Sequence, residues 1–125
     1  MGFLCAGLVA VNKLSRREER PWGHFKNIAG GSQWKVKLIT VKPKQALSLQ
    51  SHKNRSEHWT IVCGKATVTL SDERHYLSEG QSIFIVKNAV HRLQNDTDDD
   101  LMVVEVQTGN CSESDITRYD DKYGR

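Results

Sequence analysis

Leu47-Ser-Leu-Gln50-Ser-His52-Lys-Asn-Arg55-Ser-Glu57-His58-Trp-Thr-Ile-Val-Cys63-Gly64-Lys65-Ala66-Thr-Val-Thr-Leu70 is the stretch on which the fold turns. Leu47–Ser51 reads as a short strand, and His58–Cys63 as a second. Gly64-Lys65 stops the second, and Ala66–Leu70 reads as a third. β-branched residues in short runs, closed by turn residues, are what a pleated half-buried surface selects. Working outward, Trp34–Val41 is another such run, broken by Pro43. Ser71–Arg74 and Ser78–Gln81 read as turns, Ser82–Val86 as a strand, Lys87-Asn88 as a turn and Val90–Leu93 as a strand. Asn95–Asp100 reads as a loop and Leu101–Gln107 as a strand, and nothing before residue 112 shows an apolar period of 3.6. Many short strands with polar turns indicate an all-β antiparallel sandwich or barrel.

The chain has 125 residues, 38% of them hydrophobic and 26% charged, which suits one domain with a real core. That balance excludes a wholly disordered chain, a disulfide miniprotein and a heptad repeat. A net charge of +3 does not mark a nucleic-acid binder. Cys5, Cys63 and Cys111 are odd in number and form no C-x-x-C pair, so a reduced, cytoplasmic setting is expected. Residues 1–11 are apolar but too short to span a bilayer, and they lack the charged start of a secretory signal. They read as an N-terminal strand or an arm packed on another subunit. The charged stretch Leu14–Arg20 reads as a linker or short helix, giving an arm and linker over 1–19 and one domain over 20–125. Strand 101–107 is apolar on both faces, Leu101 and Val103 on one and Met102, Val104 and Val106 on the other. Such a strand needs cover outside as well as inside, which points to a homodimer.

Gln50 and His52 are two apart on a strand and share a face. Glu57 follows past a polar turn and opens the next strand, which can pair antiparallel with the first, and His91 lies on a later strand. Two imidazoles, one carboxylate and one amide oxygen form a mixed set for one divalent metal: zinc, manganese, cobalt, nickel or iron.

These residues resemble the two cupin motifs. The first motif is commonly Gly, five residues, His-x-His, three or four residues, Glu, six residues, Gly. Here Lys44 takes the first Gly place, followed by Gln50-x-His52, Glu57 and Gly64 at the same spacing. The second is commonly Gly, five residues, Pro-x-Gly, two residues, His, three residues, Asn. Here Gly80 is followed by Val86-Lys87-Asn88, His91 and Asn95, again at that spacing. The resemblance implies a cupin jelly-roll barrel, and a short helical segment is expected at the C-terminus. Gln50 in the first ligand place, with Arg55 and Glu57-His58-Trp59, resembles the type II mannose-6-phosphate isomerase domain. That domain is usually the C-terminal part of a bifunctional mannose-1-phosphate guanylyltransferase. Arg20-Pro-Trp-Gly23, Glu105-Val-Gln-x-Gly109, Asp115-Ile-x-Arg118 and Asp121-x-Tyr-Gly-Arg125 extend the likeness over residues 20–125. The chain has no room for the guanylyltransferase half, and Asn110–Ser114 departs from the family's aromatic and acidic run.

The resemblance implies interconversion of mannose 6-phosphate and fructose 6-phosphate with Gln50, His52, Glu57 and His91 as metal ligands. Glu105, in phase with Gln107, is expected to face inward as a base or a partner of the ligands, with Gln107 as a substrate contact. Lys53 is the other candidate base, while His58 is expected to face away from the metal. Arg55 and then Arg118 are the expected phosphate contacts. Trp22, Trp34, Trp59 and Cys63 read as packing residues, and Lys35, Lys37, Lys42 and Lys44 as charges guarding an exposed strand edge. Two rival readings are a non-catalytic sugar-phosphate-binding module working with a separate guanylyltransferase and a cupin with other chemistry, such as an epimerase or oxygenase.

Overall fold

A computed structural model describes residues 16–125; the expected arm over residues 1–11 lies outside them. The strands are β1 (Arg17–Arg20), β2 (Gly23–Gly31), β3 (Trp34–Val41), β4 (Leu49–Ser51), β5 (Arg55–Cys63) and β6 (Ala66–Leu70). They continue with β7 (Glu73–Leu77), β8 (Ser82–Ile85), β9 (His91–Gln94), β10 (Leu101–Gly109) and β11 (Thr117–Asp120). One sheet has the order β1-β2-β3-β10-β5-β8 and the other β11-β4-β9-β6-β7. Every named strand pair is antiparallel. The all-β expectation holds. The helical expectations do not: there is no helix among the described residues. Of the charged stretch before Pro21, Arg17–Arg20 form the edge strand β1, and residues 117–120 pair with β4 as β11.

The core lies between the sheets. It includes Trp22 from the β1–β2 turn, Phe25, Ile39, Val41, Trp59 and Ile61 from the first sheet and Val68 and Leu93 from the second. Leu101 and Val103 of β10 complete it with no exposed surface. The inward faces of β3, β10 and β5 then change character along their length. Val103 lies between Ile39 and Ile61, Glu105 between Lys37 and Trp59, and Gln107 between Lys35 and Glu57. The barrel therefore has an apolar floor and a polar mouth. Alternation fixes this layout, because residues two apart on each strand must share a face. On the outward face of β10, Met102, Val104 and Val106 are half-buried.

Several packing expectations are corrected. Trp22 and Trp59 are buried, but Trp34 at the start of β3 is exposed. Cys63 is also exposed, because β5 leaves the core at the Gly64 turn. Lys37 guards no edge: β3 lies between β2 and β10, and Lys37 is buried on its inward face.

Two departures from the cupin pattern keep its backbone. Lys44 and Asn88, both in Gly places, have φ of 63° and 70°. Asn adopts this left-handed conformation readily, whereas Lys does so against a steric penalty. Lys44 is held there with its ammonium donating to the Asp96 carbonyl at 2.7 Å. Asn95, the last residue of the second motif, is fully buried. Its amide donates to the carbonyls of Val41, Lys42 and Asp99, tying the Asp96–Asp100 loop to the end of β3.

Candidate metal centre

Three of the four expected ligands converge. His52 lies just after β4, Glu57 on β5 and His91 at the start of β9, and one ligand atom from each lies within 4.8 Å of the others. All three side chains are buried. His52 Nε2 is 3.3 Å from Glu57 Oε2, and His91 Nε2 is 3.8 Å from Glu57 Oε1. The far nitrogen of each ring faces a carbonyl: Asp115 O lies 2.7 Å from His52 Nδ1, and Ala89 O lies 2.9 Å from His91 Nδ1. A carbonyl can only accept, so each Nδ1 carries the proton and each Nε2 presents a lone pair. Histidines that hold metals are oriented in this way.

Burial, and then the Arg55 charge, push the His52 pKa down to about 4; burial pushes His91 down as well. Both rings are therefore neutral near pH 7, the form that ligates. His91 Nε2 is buried without a hydrogen-bond partner among the described residues. An orphaned acceptor facing a carboxylate and a second imidazole lone pair fits a bound cation.

The fourth ligand fits only after a rotation. Gln50 is opposite His91 across β4 and β9, which brings it to the site. Its Oε1 accepts from Ser48 Oγ at 2.7 Å, while its Nε2 lies 3.3 Å from His52 Nε2. Turning the amide over would present the oxygen instead.

Arg55, an expected phosphate contact, lines the cavity and is also bound to the ligands. It is buried, its Nε donates to Glu57 Oε2 at 2.9 Å, and its two other nitrogens reach Ser112 O at 3.0 Å and His52 Nε2 at 3.3 Å. The guanidinium is thus committed to the ligand carboxylate. Glu57 Oε1 is engaged too, accepting from Trp59 Nε1 at 3.0 Å.

An open cavity of about 140 Å³ leads from this cluster to the surface. Glu105 and Gln107 line it, both buried, as the alternation of β10 implies. Burial, and then the Glu57 charge, raise the Glu105 pKa to about 7. Gln107 Nε2 donates to Glu105 Oε1 at 2.5 Å, and the buried Gln107 oxygen has no hydrogen-bond partner among the described residues. Arg118, opposite Gln50 on β11, is exposed and lines the mouth with Arg20 and Arg125. Lys53 is exposed in the turn before β5 and does not line the cavity; its backbone N–H donates to Asp115. His58 is exposed, away from the cluster.

Two residues belong to the site without having been expected there. Asp115 holds the ligand turn: its carboxylate accepts from the N–H groups of Lys53 and Asn54 at 3.0 and 2.9 Å while its carbonyl holds His52. Lys37 lines the cavity. Its phase with Ile39 and Val41 was a signal that it faces inward.

Two antiparallel sheets around an interior that carries this His-Glu-His set define a cupin barrel. An RmlC-like cupin from Shewanella frigidimarina NCIMB 400 superposes with a TM-score of 0.73 over 82% of this chain and 90% of that one. At 14% identity the likeness is one of fold alone. The chain belongs to the family described as mannose-6-phosphate isomerase C-terminal, which matches residues 10–121. It is 42% identical over 113 residues to the mannose-1-phosphate guanylyltransferase ManC of Salmonella typhimurium, covering 90% of this chain and 24% of that protein. It is 47% identical over 111 residues to the xanthan biosynthesis protein XanB of Xanthomonas campestris pv. campestris, covering 88% and 24%. The chain thus spans about a quarter of the length of these relatives. No helix among the described residues is long and apolar enough to cross a membrane.

Proposed function

We propose that the chain is a metal-dependent sugar-phosphate isomerase, interconverting mannose 6-phosphate and fructose 6-phosphate in the supply of polysaccharide precursors. The observation that carries this is the buried meeting of two Nε2 lone pairs and a carboxylate beside a second carboxyl, Glu105, with a raised pKa. A divalent metal held by His52, Glu57 and His91, with Gln50 after amide rotation, would supply positive charge beside the sugar's two reacting oxygens. Asp115 and Ala89 keep the imidazoles aimed. Glu105 takes the proton from C2 and returns it at C1, while a second proton passes between the oxygens, so atoms and electrons balance. A carboxyl titrating near the working pH can both accept and release a proton. The free Gln107 oxygen accepts a sugar hydroxyl, and Arg118 at the mouth meets the phosphate.

The test is a coupled assay on mannose 6-phosphate with elemental analysis of the purified protein. Stoichiometric metal and turnover abolished by chelation are expected. Metal without turnover on this sugar would overturn the assignment of reaction. A second reading, a sugar-phosphate-binding module without turnover, draws on Arg55. Its guanidinium already bonds Glu57 and lies 3.3 Å from His52 Nε2, so positive charge reaches these ligands without a metal.

A further inference from the structure

Lys37 poses a question that the proton shift leaves open. Its ammonium sits in the barrel, and Lys37, 6% exposed, lies directly opposite Glu105 in the pairing of β3 with β10. A buried cation is costly unless paired. Its ion-pair partner among the described residues is Glu113, at 2.5 Å, on the strap of residues 110–116 between β10 and β11. The pair is lopsided: the Lys37 side chain is 8% exposed and that of Glu113 52%. Glu113 can return to water by rotating its side chain, whereas Lys37 cannot.

The strap backbone would stay in place during that rotation. Lys35 Nζ donates to Cys111 O at 3.2 Å, Arg55 to Ser112 O at 3.0 Å and His52 Nδ1 to Asp115 O at 2.7 Å. An ammonium has three N–H donors. Glu113 accepts one, and the Phe25 ring covers another side with its centroid 4.1 Å from Nζ. No further hydrogen-bond acceptor reaches Nζ among the described residues, and Lys37 lines the cavity.

We propose that Lys37 is the anion anchor of the cavity and that Glu113 is its built-in competitor. An entering anionic group binds the ammonium by displacing the Glu113 carboxylate. The identity of that anion, the phosphate of a sugar phosphate, rests on the isomerase reading; the displacement does not. Glu113 then sets how tightly the site holds anions, and Arg118 at the mouth adds to an anchor already present inside.

The experiment is isothermal titration of the full chain with mannose 6-phosphate and, separately, with inorganic phosphate. A chelator is present, so that a metal cannot bind the anion itself. Glu113→Gln is expected to tighten binding of at least one anion about two- to fivefold, as loss of a half-exposed ion pair implies. Lys37→Met is expected to weaken it at least tenfold, the scale of one charge-assisted hydrogen bond. Glu113→Gln should bring no gain on the Lys37→Met background. Unchanged or weaker binding by Glu113→Gln overturns the proposal, as does a gain that survives without Lys37. If Lys37→Met fails to fold, Glu113→Gln decides alone, since that side chain is half in water. Turnover is measured separately: tighter binding without turnover sinks the isomerase reading and leaves the anchor standing, and the converse result does the opposite.

Discussion

Asp115→Ala removes a side chain that touches no metal ligand, yet it should loosen the metal centre. The carboxylate accepts two backbone N–H bonds, from Lys53 and Asn54, in the turn between His52 and Glu57. Each is worth about 1 kcal/mol net, less where water can replace the acceptor. Asp115 is half-buried, so a total of about 1–2 kcal/mol is expected. For a domain of this size that lowers Tm by roughly 4–8 °C. The second effect is on metal. With the turn untied, the Asp115 carbonyl no longer fixes the His52 ring, and affinity should fall about tenfold, the lower end for an outer-sphere partner. Asp115→Asn should do no better, because one of its two acceptor oxygens becomes an NH2 facing an N–H. Burial pulls the Asp115 carboxyl up, but the Asn54 and Lys53 N–H groups outweigh it, and the net pKa is below 3.8. The anchor therefore contributes above pH 3.8 and is lost as pH falls through the lowered value, where wild type and variant should converge. Thermal unfolding by circular dichroism and metal competition against a chromophoric chelator measure the two effects. A Tm within about 1 °C of wild type, together with unchanged metal affinity, would refute the anchoring role.

Three further outcomes are expected. Glu57→Gln leaves the buried Arg55 guanidinium without its anion and should cost about 3–5 kcal/mol in urea unfolding as well as the bound metal; a loss under 1 kcal/mol would mean Arg55 finds another partner. His52 has a folded pKa lowered to about 4 from 6.5, so its contribution is present above pH 6.5 and fades as pH falls toward 4; His52→Gln should flatten the metal-free stability profile in that window, and an unchanged slope counts against the buried neutral ring. Gly109→Ala places a Cβ 2.3 Å from the Asn54 carbonyl oxygen at φ +115°, so it should destabilise by roughly 2–4 kcal/mol and lower metal occupancy; a variant as stable as wild type would show that the ligand turn tolerates displacement.

Much of the fold was legible because a strand announces itself locally. Trp34–Val41 and Ala66–Leu70 form strands with the ends their β-branched runs imply. β1 and β2 were not legible, since Arg17–Arg20 is wholly charged and Gly23–Gly31 carries three glycines. Their strand character comes from pairing with β3 and with each other. β11 shows the same thing at the other end: it is fully exposed and takes its form from β4.

The sequence by itself determined the interior phase of β10 and the spacing of the His-Glu-His set, because a period of two and a fixed turn length leave little freedom. It therefore puts Glu105 and Gln107 on one face of β10, and both are buried. Partnership is different, because it depends on what lies opposite. The position of Arg55 between two ligands suggests a phosphate contact, but its pairing with Glu57, two residues along the same face of β5, is visible only in the fold. Lys37 reads locally as an edge charge; only the docking of β10 against β3 and the return of the strap over both make it a buried cation with an acidic partner from residue 113. Asp115 stood in a recognisable motif without a role, because the N–H groups that it accepts from lie more than sixty residues earlier in the chain. Local chemistry fixed which groups enter the barrel, and tertiary contact decided which of those charges are already spoken for.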